Sequence, residues 1–263
     1  MQIGKTPLEK EWLKSEKQEQ KFLQKREEKT ESKLNRMISE KVPKNLQGTL
    51  DVAFEKAFRL IFEKGTGVIE KTYRRDEFEK NYQANEYGVQ VKNNRKSLKA
   101  FSRKAAGSGA VNTLLSGVSG IGLGVLGIGI PDIVLFTGMM LKSIYEIALS
   151  YGFDYKSEEE KEFILLIIKG AVSYGEKLRF INKKLNYFME KGTYIPPLNI
   201  DRSIGEAAKG LSGELLYMKF LQGIPIVGAV GGAYDMVYMK QIAYYARMKY
   251  RRRFFIKRRK MEG

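Results

Sequence analysis

The chain has 263 residues, 43% of them apolar and 29% charged, with no cysteine and no histidine. This composition suits a globular protein better than a polytopic membrane protein, and it excludes disulfides, thiol nucleophiles, Cys/His zinc sites and imidazole acid–base chemistry. The formal charge of +17 predicts negatively charged partners: anionic lipid, nucleic acid or an acidic protein face.

The charge is unevenly placed. Lys and Arg outnumber Asp and Glu by 25 to 16 over residues 1–106 and by 10 to 2 over residues 220–263. The corresponding counts are 1 to 3 over 107–154 and 11 to 9 over 155–219. Residues 1–40 hold Lys and Glu in place of an apolar signal-peptide core, which predicts a cytoplasmic chain. Their sparse apolar positions, Leu8, Trp12, Phe22, Leu23, Leu34, Met37 and Ile38, predict a charged helical arm that is mostly solvated. Val42-Pro43 interrupts that pattern, because the residue before a proline is pushed out of the α region.

Residues 46–80 carry Leu50, Phe54, Ala57, Phe58, Ile61, Val68 and Ile69 at helical spacing, which predicts an amphipathic core helix broken or kinked at Gly65 and Gly67. A basic stretch follows: Lys92, Arg95, Lys96, Lys99, Arg103 and Lys104. From Ala105 to Pro131 no residue is charged, and eight glycines alternate with Val, Leu and Ile. Glycine costs a water-exposed helix about 1 kcal/mol per residue relative to alanine, so close packing or burial must compensate. Pro131-Asp132 then opens a second apolar segment, Ile133 to Ser150, with helix-start chemistry. The expected arrangement is a Gly-rich helical hairpin. Lys142 in its second half and the glycine dilution favour a packed hairpin over a spanning one.

Ser157-Glu158-Glu159-Glu160 fits a capping box and starts a helix expected to run toward Tyr187. Pro196-Pro197 separates it from a last helical section beginning near Asp201. That section holds a second apolar run, Phe220 to Tyr234, and ends in the basic and aromatic stretch Met248–Lys260.

Gly122-Leu123-Gly124-Val125-Leu126-Gly127 matches a dinucleotide-binding pattern, with Glu146 near the position of a ribose-binding acid. That motif needs a preceding strand and an alternating βα context, and neither is present. The glycines fit helix packing better. Gly120 and Gly124 are four apart, as are Gly228 and Gly232, which leaves smooth faces for close helix approach. Asp132 reads as a helix-start acid and Asp235 as a paired core acid, and each is also a candidate ligand contact. No cofactor is expected. At the C-terminal end Arg251, Arg252, Arg253, Lys257, Arg258, Arg259 and Lys260 surround Phe254 and Phe255. Basic side chains attract anionic headgroups at about 1 kcal/mol each, and aromatics insert at headgroup level, so these residues are the expected membrane contact.

Three stretches resemble the EcsC protein family. They are Val42-Pro43 with the amphipathic helix after it; GIGLGVLGIGIPDIVLF leading to IALSYGFD and SEEEKEFIL; and GIPIVGAVGGAYD followed by IAYYARMKYRRRF. The resemblance covers roughly Lys41 to Phe255 and leaves out the arm. It implies a bacterial accessory role on the cytoplasmic side of the membrane, beside the subunits of an ABC transporter system. It supplies no catalytic residues.

The expectation is thus an all-α chain: a charged helical arm over 1–40, one multi-helix domain over 41–255 around the Gly-rich hairpin, and a basic tail over 256–263. Its expected function is non-enzymatic, peripheral attachment to anionic membrane through that tail. Two alternatives stand beside it: a nucleic-acid-binding helical protein, and a binding protein or enzyme for a hydrophobic small molecule housed between Gly-rich helices.

Overall fold

The computed structural model describes residues 4–27, 44–107, 131–221 and 233–262, and among them there is no strand. Helix α1 spans Pro7–Glu27. Its start is a reciprocal capping box: Thr6 N–H donates to Glu9 Oε2 at 2.8 Å, and Glu9 N–H donates to Thr6 Oγ1 at 3.2 Å. Helix α2, Lys44–Leu60, continues through a π-helical turn, Ile61–Gly65, into the short α3, Thr66–Glu70. The kink expected at Gly65 is this π turn. A Cβ at Gly65 would press on the Ile61 side chain at 3.3 Å, so glycine suits the position.

Helix α4, Arg75–Lys92, ends on Asn93 in the left-handed region, φ 30°. Asn94 then caps α5, Arg95–Gly107, by accepting from the Lys96 and Ser97 amides. Helix α6 runs Pro131–Ser150, so Pro131 is its first residue as its chemistry predicts. Ser157 caps α7, Glu158–Ala171, by accepting from the Glu160 amide at 3.2 Å. The helix does not run on to Tyr187. It stops at Ala171, and α8, Gly175–Lys191, starts after a turn with Gly175 at φ 54°. Helix α9 covers Ile200–Leu221 and α10 covers Ala233–Glu262.

The thirty-residue α10 is the axis. It packs against α1, α5, α6, α7 and α8, while α6 also meets α2, α4 and α5, and α9 bridges α2 to α7. Among the described residues, one helix is long and apolar enough to cross a bilayer: α6 over Ile133–Ser150. Within the protein, 89% of that window is buried. Ile133, Phe136, Leu141, Ile144, Ile147 and Ala148 all lie in the core, where each large apolar side chain contributes about 1.5–3 kcal/mol. Lys142, which argued against a spanning segment, pairs with Glu146 at 3.4 Å one turn along. Glu146 is therefore an ion-pair partner rather than a ribose-binding acid.

Two expected boundaries change. The N-terminal arm is not a solvated appendage: α1 lies against α10, α8 and α5, with Leu8, Glu11, Ser15, Glu19 and Arg26 buried. Residues 256–263 do not form a separate tail, because α10 continues without a break through Glu262. The first half of the Gly-rich hairpin, including Gly120 and Gly124, lies outside the described residues, as do Gly228 and Gly232.

Candidate functional site

The expected membrane contact sits on the last three turns of α10, and the structure divides it by helical face. Phe254 and Phe255 point into the core, 1% and 2% exposed, with the Phe254 ring 4.5 Å from that of Phe101 on α5. They cannot insert among headgroups. Tyr250 and Phe254 are one turn apart and extend the apolar period of α10 into the basic run, which turns both phenylalanines inward.

Four of the arginines are also used internally. Arg253 Nη1 donates to Glu160 Oε2 at 2.6 Å, and its guanidinium lies over the rings of Phe153, Phe163 and Phe188 at 4.3, 4.8 and 5.0 Å. Tyr250 Oη donates to the other Glu160 oxygen at 2.6 Å. Arg252 pairs with Glu19 at 3.2 Å, Arg251 lies 3.7 Å from Glu11 and donates to Gln18, and Arg258 pairs with Glu86 on α4. Lys260 donates to the Glu190 carbonyl at 2.7 Å. Among these cations Lys257, Arg259 and Lys260 stay exposed. None of the three has a carboxylate partner among the described residues.

One turn earlier Lys249 is fully enclosed, its Nζ held by Glu19, Asn182 and Asn186. Burial pulls its ammonium pKa down and the Glu19 carboxylate offsets part of that. Burial likewise pushes the Glu19 carboxyl up, but Lys249 and Arg252 together outweigh it and hold it below the ordinary carboxylate value. The difference between the partners follows from their surroundings: Glu19 faces two cations and Lys249 one anion. Glu11 is a second such centre, only 2% exposed, with Arg95 Nε at 2.7 Å and Lys99 Nζ at 3.8 Å. Sequence reasoning missed these acids. The available signal was their spacing: Leu8, Glu11, Ser15 and Glu19 share one face of α1.

The Tyr-Gly-Phe-Asp stretch after α6 joins the same region. Tyr151 Oη donates to Ser102 on α5 at 3.1 Å, and Asp154 accepts from Arg75 on α4 at 2.9 Å. Gly152 has φ 75°, and a Cβ there would overlap the Tyr82 ring. Beside it Tyr155 Oη donates to Glu70 at 2.6 Å and lies 2.5 Å from Tyr73 Oη. Burial, with the Glu70 carboxylate adding to it, pushes the Tyr155 phenol up to about 12, so it stays a proton donor at neutral pH.

A shallow depression on α5 is lined by Arg95, Lys96, Lys99 and Arg103. No group of three or more metal-ligating side chains occurs among the described residues. Asp132 and Asp235 fall in the opening turns of α6 and α10, and their side chains lie outside the described residues.

The model of the EcsC protein family matches residues 8–255. That range takes in α1, which the resemblance read from sequence left outside. A curated relative is YdbA of Bacillus subtilis (strain 168), an uncharacterised protein, 26% identical over 166 residues. The match covers 62% of this chain and 61% of the relative. No solved structure matches the chain.

Proposed function

The chain belongs to the EcsC protein family, and from that premise and the charge geometry above we propose that it is a peripheral, non-enzymatic accessory protein of anionic membranes. The observation that carries the reading is the surplus left after internal pairing. Lys96 and Arg103 on α5 are exposed and have no carboxylate partner among the described residues. Helix α5 leads directly into the uncharged run from Ala105 to Pro131. Cations beside an apolar segment suit a surface where headgroup charge adjoins hydrocarbon. With α6 committed to the core, electrostatic docking fits better than insertion of that helix. An accessory role beside ABC transporter subunits, which the family resemblance implies, agrees with this placement.

Co-sedimentation of the untagged protein with phosphatidylcholine vesicles, with and without phosphatidylglycerol, tests the reading. Binding is expected only with the anionic lipid and is released by high salt, since exposed charges are screened within about 3 Å at 1 M. Equal recovery with both vesicle types, or release by detergent alone, would count against it.

A further inference from the structure

Helix α1 is divided by charge along its length. Leu8, Glu11, Ser15, Glu19 and Arg26 face inward, and both buried carboxylates are taken up by cations of α5 and α10. Lys10, Lys14, Lys17, Lys21 and Lys25 are all exposed. Their spacing of four, three, four and four places them within about 80° of arc on the opposite side, in a row about 22 Å long. None of the five has an ion-pair partner among the described residues. The other acids of α1 leave the row clear. Glu9, Glu16 and Glu27 fall on one flank, where Glu9 caps Thr6 and Glu27 pairs with Arg179 on α8.

The opposite flank is joined to α5 by the Arg95–Glu11 bond. Helix α5 contains no acid and exposes Arg95, Lys96, Lys99 and Arg103. The inward carboxylates thus neutralise Lys249, Arg251 and Arg252 of α10 from within, and the longest uncompensated rows of positive charge lie on α1 and α5, apart from the three exposed cations Lys257, Arg259 and Lys260 at the end of α10. Leu13, 40% exposed, lies beside the lysine row.

We propose that the outer face of α1 with the adjoining face of α5 is the surface that docks on an anionic bilayer, α1 lying in the membrane plane. The proposal rests on the membrane reading above and relocates the contact from the C-terminal basic run. A bilayer is the occupant the chemistry favours. The row is all lysine, flexible point charges without the fork that reads phosphate bidentately, and its exposed neighbour is aliphatic rather than a stacking ring. Helix α5 then runs into an uncharged segment.

The test compares three full-length proteins on phosphatidylglycerol-containing vesicles at low salt: the natural chain, a Lys10→Gln/Lys14→Gln/Lys17→Gln/Lys21→Gln variant, and a Lys257→Gln/Arg259→Gln/Lys260→Gln variant. All substituted residues are exposed, so helicity by circular dichroism should match across the set. The α1 variant is expected to bind several hundredfold to about a thousandfold more weakly, and the α10 variant within a few fold of the natural chain. If the natural chain binds and the α1 variant binds equally well, or the α10 variant loses as much, the relocated contact is wrong while the membrane reading stands. If the natural chain fails to bind anionic vesicles, or prefers duplex DNA at the same salt, both fall.

Discussion

Arg253, in the middle of the most basic stretch of the chain, donates to the 3%-exposed Glu160 at 2.6 Å from a cage of three aromatic rings. This arginine joins α10 to α7. Arg253→Ala leaves a carboxylate enclosed with Tyr250 as its remaining donor, and an unpaired buried charge of that kind costs about 3–5 kcal/mol. Urea unfolding should show that loss, and a value within error of the natural chain would mean that the cage is not energetically coupled.

Lys249 and Glu19 form a more deeply enclosed pair of the same kind. Glu19→Ala should destabilise the fold by about 3–5 kcal/mol, because it strands a fully buried ammonium. The double variant Glu19→Leu/Lys249→Met should recover most of that, since an apolar pair has no desolvation cost. A double variant as unstable as the single one would show that the pair also holds a geometry that apolar side chains cannot reproduce.

The Glu19 carboxyl also sets an acid limit. Its folded pKa lies below the ordinary value of 4.5, so its stabilisation is fully present above pH 4.5 and is lost as the pH falls through the folded value. Denaturation between pH 7 and pH 3 should therefore show a fall in stability below about pH 4.5. Glu19→Gln should flatten that fall. An unchanged acid slope in the variant would assign it to other carboxylates.

Gly152 is fixed by backbone and neighbour together. With φ at 75° and the Tyr82 ring where a Cβ would go, Gly152→Ala should cost about 2 kcal/mol or more. Adding Tyr82→Ala removes the overlap but leaves the backbone strain, so a double-mutant cycle should show coupling between the two positions. Additive losses would place the whole effect in the backbone.

Local chemistry was legible in advance because its cause is local. Ser157 caps α7, Pro131 starts α6, and Gly65 marks the π turn, each through groups within a few residues. The charged network was not legible. Glu11 and Glu19 look like solvent-facing residues of a Lys/Glu-rich helix because their partners lie on α5 and α10, and hydrophobic periodicity gives a carboxylate no inward preference. Phe254 and Phe255 misled for the converse reason. Flanked by arginines they resemble an interfacial motif, yet arginine stems are long enough to carry charge around a buried ring. The end of α7 was missed because its stop lies in Ser173-Tyr174-Gly175, where the only sequence signal is one glycine.

The separation of 230 positions between Glu19 and Lys249 imposes an order of assembly. Helix α10 follows all the other described helices in the chain, and it carries the cations paired with Glu19, Glu160 and Glu86. Until it is made, Glu19 on α1 and Glu160 on α7 lack the cations that neutralise them. Contacts so distant in sequence bear a large loop-closure cost and slow folding. A nascent chain lacking α10 should therefore hold α1 apart from the body and open to proteases, and the first described helix should be among the last to settle into place.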